Sequence, residues 1–129
     1  TYPYLEQPDG TYLLPERYAP TYIPSDYALE EHHCDGNEYY LYRKDDGFLF
    51  WSGSYITFNQ RYPTSTIVFD LEDVALEEIE VEGLGKSLYY VVKRDENRGG
   101  LMWLQGPYRF HISVSNLPKE ELIKIAQST

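Results

Sequence analysis

The sequence predicts an α+β domain: a curved antiparallel β-sheet with one C-terminal helix packed on a face. Three observations carry this. Short runs rich in Tyr, Val, Ile and Phe recur between turns containing Gly and Asp, which is how strands joined by tight connections read. Helical periodicity is confined to the last dozen residues. Strands do not alternate with helices, so nothing calls for a parallel sheet.

The elements follow in order. Residues 1–26 hold Pro3, Pro8, Pro15, Pro20 and Pro24, five of the eight prolines. Each removes a ladder donor, so residues 1–19 read as an extended, Pro- and Tyr-rich lead-in. Asp9-Gly10 marks a turn within it. Residues 20–115 read as the sheet. Tyr27 to Cys34 and Glu38 to Lys44 are a strand pair around Asp35-Gly36-Asn37. Phe48 to Trp51 and Tyr55 to Gln60 follow, separated by Ser52-Gly53. After a loop at 62–65, Thr66 to Phe69 is a further short strand.

From Glu77 the alternation is clean, with Ile79 and Val81 on one side and Glu78, Glu80 and Glu82 on the other. That is a half-buried strand with one wet face. Gly83 and Gly85 flank a turn, and Leu88 to Lys93 is apolar on both sides, hence more central. Asp95 to Gly100 reads as a polar loop, with Gly99-Gly100 as turn residues. Leu101 to Leu104 and Tyr108 to Val114 form the last hairpin around Gly106-Pro107. Tyr108, Phe110, Ile112 and Val114 face the core; Arg109, His111, Ser113 and Ser115 face out. Residues 117–128 form the helix. Glu120 and Glu121 sit in its first turn, where the dipole favours them. Leu122, Ile125 and Ala126 make the apolar stripe, and at this length the helix must pack on the sheet.

At 129 residues the chain fits a single domain. Net charge is -10, a surface that repels phosphate backbones and anionic lipid. Nucleic acid and direct membrane-surface binding are therefore not expected. Cys34 is the lone cysteine, so no internal disulfide forms. No apolar run approaches the roughly 18 residues of a membrane span.

Motifs for chemistry are sparse. His32 and His33 are adjacent on a strand and point to opposite faces, which does not suit one metal ion. Seven acidic residues lie between Asp70 and Glu82, but their alternation spreads them along a strand rather than around a calcium ion. No Gly-x-Ser-x-Gly elbow or phosphate loop is present. No catalytic residue, cofactor site or metal site is expected. The fourteen tyrosines suit half-buried strands. Trp103, among Leu101, Met102 and Leu104, reads as core. Trp51 reads as rim-exposed, and with Tyr40, Tyr42 and Tyr55 it is the candidate ligand-binding set, provided these share an exposed face.

Two stretches carry a resemblance. Trp103 with Gly106-x-Tyr108-x-Phe110 and the Lys119-Glu120-Glu121-Leu122-Ile123-Lys124-Ile125-Ala126 helix, together with Tyr22-Ile23-Pro24-Ser25-Asp26-Tyr27 upstream, resemble a bacterial domain-of-unknown-function family, family 4367, from Pro20 onward. The resemblance implies a domain outside the cytoplasmic membrane, tethered by a membrane helix beyond this sequence, in some relatives beside anti-sigma-factor-like segments. It implies no catalytic residues. Family helices commonly start with Ser or Thr where this chain has Pro118, which cannot cap the Glu121 amide. The expectation is a non-enzymatic extracytoplasmic sensor or binding domain whose partner is a protein, peptide or envelope component. The alternative is a carbohydrate or cell-wall binding module using exposed aromatics.

Overall fold

The computed structural model describes residues 2–44, 53–64 and 72–129. The expected strands Phe48 to Trp51 and Thr66 to Phe69 lie outside the described residues, as does Trp51 itself. The described strands are β1 (Leu5–Glu6), β2 (Tyr12–Leu13), β3 (Tyr27–His33), β4 (Asn37–Lys44), β5 (Tyr55–Arg61), β6 (Val74–Val81), β7 (Gly85–Val92), β8 (Asp95–Gln105) and β9 (Tyr108–Ser115); helix α1 spans Lys119–Gln127. The expected antiparallel sheet with one C-terminal helix is what the chain forms.

Strands β3 to β9 make a seven-stranded sheet in the order β3-β4-β5-β9-β8-β7-β6. Every pairing is antiparallel. The last strand is inserted in the middle, between β5 and β8, so the two halves of the chain meet at β9. Strands β3 and β6 form the edges, and both edges are lined with acidic or exposed residues, which discourages further strand addition.

The register places the core on one face. Across the sheet, Gln60, Phe110, Trp103, Ser87 and Ile79 stand in one row, and Phe58, Ile112, Leu101 and Tyr89 in the next. Phe58, Leu101, Phe110 and Ile112 are at most 1% exposed. The Trp103 indole stacks on Phe110 at 5.2 Å. Trp103 is thus core, as expected.

Helix α1 lies over this face and contacts β8 and β9. Leu122, Ile125 and Ala126 are buried in the same cluster. Burying the two large side chains is worth about 3–6 kcal/mol as an upper figure, which stabilises a helix too short to form alone. Pro118 occupies the N-cap with no side-chain cap, and its carbonyl accepts from the Glu121 and Leu122 amides at 3.1 Å each. Leu117, the residue before the N-cap, packs against the core on entry, as an apolar staple does.

The lead-in is more structured than an extended segment. β1 and β2 pair as a hairpin around Asp9-Gly10, with Gly10 at φ 87°, a turn conformation glycine adopts without strain. The lead-in then crosses the helix-side face. Gln60, fully buried, donates to the Glu16 carbonyl at 2.7 Å and accepts from the Tyr18 amide at 2.9 Å. Tyr108 Oη accepts from the Glu16 amide at 3.2 Å. Farther on, Tyr22 donates to Glu121 at 2.7 Å and so ties the lead-in to the helix. Gln60 and Tyr108 thereby satisfy backbone groups that would otherwise be orphaned over an apolar core.

One expectation is corrected. Asp95 to Gly100 is not a loop but the first half of β8, whose turn falls just before Asp95, with a register shift between Val91 and Val92. Its polar residues 95–98 are exposed where the strand overhangs. Gly99 and Gly100 pair with Val91 and Tyr90, so they are mid-strand glycines whose missing side chains leave room for a neighbour. β6 also starts three residues earlier than the alternation suggested, at Val74.

Candidate functional site

The reverse face of the sheet, away from α1, carries the groups that chemistry can use. The pleat puts Arg109, His111, Ser113 and Ser115 there, as the alternation of β9 indicates. The structure adds their neighbours. Tyr39, Asn59, His111, Met102 and Leu88 form one row across five strands. Leu41, Thr57, Ser113, Gly100, Tyr90 and Leu76 form the next. Arg61 stands directly opposite Arg109.

This face is not a wet surface of scattered polar groups. Leu41, Tyr90 and Met102 are buried on it. Tyr90 reaches across β8 to bond His111 Nε2 at 2.7 Å. It can do so because of Gly100: a Cβ there would lie 2.4 Å from the Tyr90 hydroxyl and 2.7 Å from the Ile112 carbonyl oxygen. Thr57 and Ser113 hydroxyls bond each other. Burial, with a smaller push from the Arg109 charge, drops His111 to about 4, and burial raises Tyr90 to about 12. Both are neutral at pH 7, so their hydrogen bond joins two uncharged groups.

Two adjoining depressions open on this face. An apolar groove of about 720 Å³ runs over β6, β7 and β8, lined by Leu76, Leu88, Met102 and Leu104, with Pro63 at its side. A polar pocket of about 220 Å³ lies beside it, over β5 and β9, and holds Asn59, Arg61, Arg109 and His111. Met102 and Arg109 line both, so the two are continuous. Burial and the nearby Arg61 charge hold Arg109 below the usual guanidinium range, and it stays charged at neutral pH. The side-chain oxygen of Asn59 is buried without a hydrogen-bond partner among the described residues. Leu104 is 64% exposed. The size and the apolar lining with a few convergent polar groups are those of a small-ligand site.

A family model described as a domain of unknown function, DUF4367, matches residues 17–128. The chain belongs to this family. No curated protein and no solved structure matches it. The DUF4367 match takes in every strand of the large sheet and the helix, and so both depressions; it leaves out the β1–β2 hairpin. The family description names no function, so the site of this DUF4367 chain rests on its own geometry.

The residues expected to bind ligand do not form one surface. Tyr40 and Tyr42 stand on the helix side and pack against the core, their rings near-parallel at 6.2 Å. Tyr55 pairs with Arg43 and lies on the reverse face. Trp51 is outside the described residues. Among the described residues the exposed aromatics are instead Tyr2, Tyr4 and Tyr12, 38–45% exposed. Tyr2 stacks on buried Tyr62 at 4.6 Å, and Tyr4 meets Tyr62 edge-on at 5.2 Å.

Among the described residues no group of three or more His, Cys, Asp or Glu could hold a metal ion. His32 instead bonds Glu38 at 2.7 Å and stacks on Tyr40 at 4.1 Å. The Glu38 side chain is 1% exposed, with Arg17 Nε 3.7 Å away. A buried carboxylate needs such partners. No helix among the described residues is long and apolar enough to cross a membrane.

Proposed function

We propose that this DUF4367 domain is a non-enzymatic binding or sensing module, and that its ligand sits on the reverse face of the sheet. The observation that carries the reading is the continuity of the apolar groove with the pocket of Arg61, Arg109, Asn59 and His111. Among the described residues the helix and the lead-in both cover the other face, and this one carries the two depressions. His111 and Tyr90 are locked to each other as neutral groups, an arrangement that shapes a surface rather than shuttling protons. The family resemblance supports a place outside the cytoplasmic membrane, tethered through a segment beyond this sequence, with an envelope component, protein or peptide as partner.

The test has two parts. A phosphatase fusion to the full-length protein is expected to be active, as an exported domain requires; an inactive fusion with an active cytoplasmic reporter removes the extracytoplasmic reading. Native mass spectrometry of the protein taken from its own envelope fraction is expected to show a bound species, lost in Leu104→Glu. An unliganded wild type that gains no mass with any envelope extract counts against binding.

One observation favours a second reading, a glycan or cell-wall module. Tyr2 and Tyr4 contact Tyr62, and Tyr12 meets Tyr4 edge-on at 6.1 Å, so three partly exposed rings cluster here, and aromatic faces can pack against sugar rings. It predicts retention on insoluble peptidoglycan that disappears in the Tyr4→Ala, Tyr12→Ala double variant. Equal retention of the two proteins would remove it.

A further inference from the structure

We infer that the outer edge of β6 takes up an extended segment of a partner protein in which basic and apolar residues alternate, the segment adding to the sheet as a further strand. This goes beyond the groove reading above. The contact is with the backbone edge of β6, and it does not require the groove to be occupied.

The two edges of the sheet differ. β3 carries a register shift between Leu29 and Glu31, and irregularities of this kind protect an edge. Acidic groups there are met from β4: Arg43 Nε stands 2.7 Å from Glu30, and Lys44 Nζ 3.3 Å from Asp26. β6 pairs with β7 in unbroken register over its whole length, Val74 to Val81. It holds no proline and no lysine, the residues that blunt an edge. Among the described residues no strand pairs with its outer side, so alternate backbone N–H and C=O groups point outward as a template.

What guards β6 is charge. It carries three glutamates and no basic residue. Glu77 has Lys119 of the helix at 3.5 Å, and Glu78 has Lys86 at 3.8 Å. Glu80 makes no ion pair among the described residues. These carboxylates discourage an acidic or neutral strand but attract a basic one, so the guard selects the sign of the partner. A second copy of this chain brings the same glutamates to a shared edge, where like charges directly opposite are destabilising.

The pleat sets the alternation. Ile79, packed against the core, and buried Val81 share the helix side of β6 with Ala75 and with Glu77, whose charge Lys119 meets. Glu78 and Glu80 share the reverse face with Leu76. A strand laid beside β6 meets a mainly apolar stripe on one face and carboxylates on the other, which calls for apolar and basic residues in turn. Main-chain pairing supplies affinity, and the alternate side chains supply selectivity.

The test uses the intact protein and acetyl-Lys-Val-Lys-Val-Lys-Val-Lys-amide, followed by calorimetry and ¹H–¹⁵N spectra. The controls are the same peptide with glutamate for lysine, and two forms N-methylated on the lysines or on the valines. The lysine peptide is expected to shift the amides of 74–81 and to bind at least about ten-fold more tightly than the glutamate peptide. One methylated form is expected to lose about ten-fold and the other to bind nearly as the parent, because alternate N–H groups face the neighbouring strand. Glu78→Gln with Glu80→Gln, an isosteric change at exposed positions, is expected to weaken binding several-fold. Undiminished binding of both methylated forms means charge attraction without strand addition and overturns the inference. Shifts that avoid β6 overturn it too. So do outward β6 amides already protected from hydrogen exchange in the free protein, whether by the chain itself or, if dilution removes the protection, by a second copy. Leu104→Glu is expected to leave the peptide affinity unchanged, and its loss there would move the site into the groove. If the peptide fails while the envelope-derived species still depends on Leu104, the edge inference falls and the groove reading stands.

Discussion

At the scale of single residues, the reverse face is decided by what is missing at position 100. A Cβ at Gly100 collides both with the Tyr90 ring and with the Ile112 carbonyl oxygen; the ring could swing away, but the strand behind it cannot. Gly100→Ala is therefore expected to cost about 2–4 kcal/mol, measured by urea unfolding. It should also restore an ordinary tyrosine titration at Tyr90, now near 12. An unchanged midpoint and an unchanged tyrosine would show the contact to be slack.

His111 makes the fold sensitive to acid. Its folded pKa, about 4, lies below its unfolded value of about 6.5, so the unfolded chain binds the proton more readily. Stability is then lost as pH falls from about 6.5 towards 4, by up to about 3 kcal/mol before discounting for partial solvent access. The groups facing the ring are Tyr90, Asn59 and Arg109. His111→Gln is expected to flatten the stability profile in that window, and an identical slope in the variant would place the acid sensitivity elsewhere.

At the scale of elements, the helix shows where local sequence is left unoptimised. Pro118 supplies the extended φ of -70° and ψ of 158° that an N-cap requires, but no side-chain acceptor for the Glu121 amide. Pro118→Ser keeps that backbone and adds the acceptor, so a gain of about 0.5–1 kcal/mol is expected, read as a higher Tm. A loss would mean that the rigidity of proline, and the Leu117 contact it fixes, outweighs the cap. The sheet elements were largely legible. The alternation of β9 and the Ile79–Val81 pattern of β6 follow from burying one side of a pleat. The first half of β8 reads as a loop because residues 95–98 are polar and exposed and Gly99-Gly100 look like a turn; a strand that outruns its neighbours loses the alternation that betrays it.

At the scale of the whole molecule, the lead-in acts as part of the core. Leu14 is 1% exposed, Tyr62 is 2% exposed, and Tyr62 donates to the Pro3 carbonyl at 2.5 Å. Deleting residues 1–16, just ahead of the DUF4367 match, uncovers Tyr62 and strands Gln60. The expected loss is about 3–5 kcal/mol, followed by calorimetry; a deletion that melts with the full chain would make the lead-in an accessory. The candidate site was not legible in the same way. Arg109 and His111 could be assigned to an outward side, and Asn59 and Arg61 carried no motif at all. The tyrosines drew attention through their number, yet Tyr40 and Tyr42 are spent on the core.

The sequence by itself determined the fold class, the alternation of β9 and of the end of β6, the closing helix and the family, because each depends on periodicity and chemistry within a few residues. Only the tertiary structure decided that β9 is inserted between β5 and β8. That insertion sets Asn59 and Arg61 beside His111 and Arg109, some fifty residues apart in the chain. Strand order is fixed by how distant faces pack together, and no local pattern of side chains encodes which strands become neighbours.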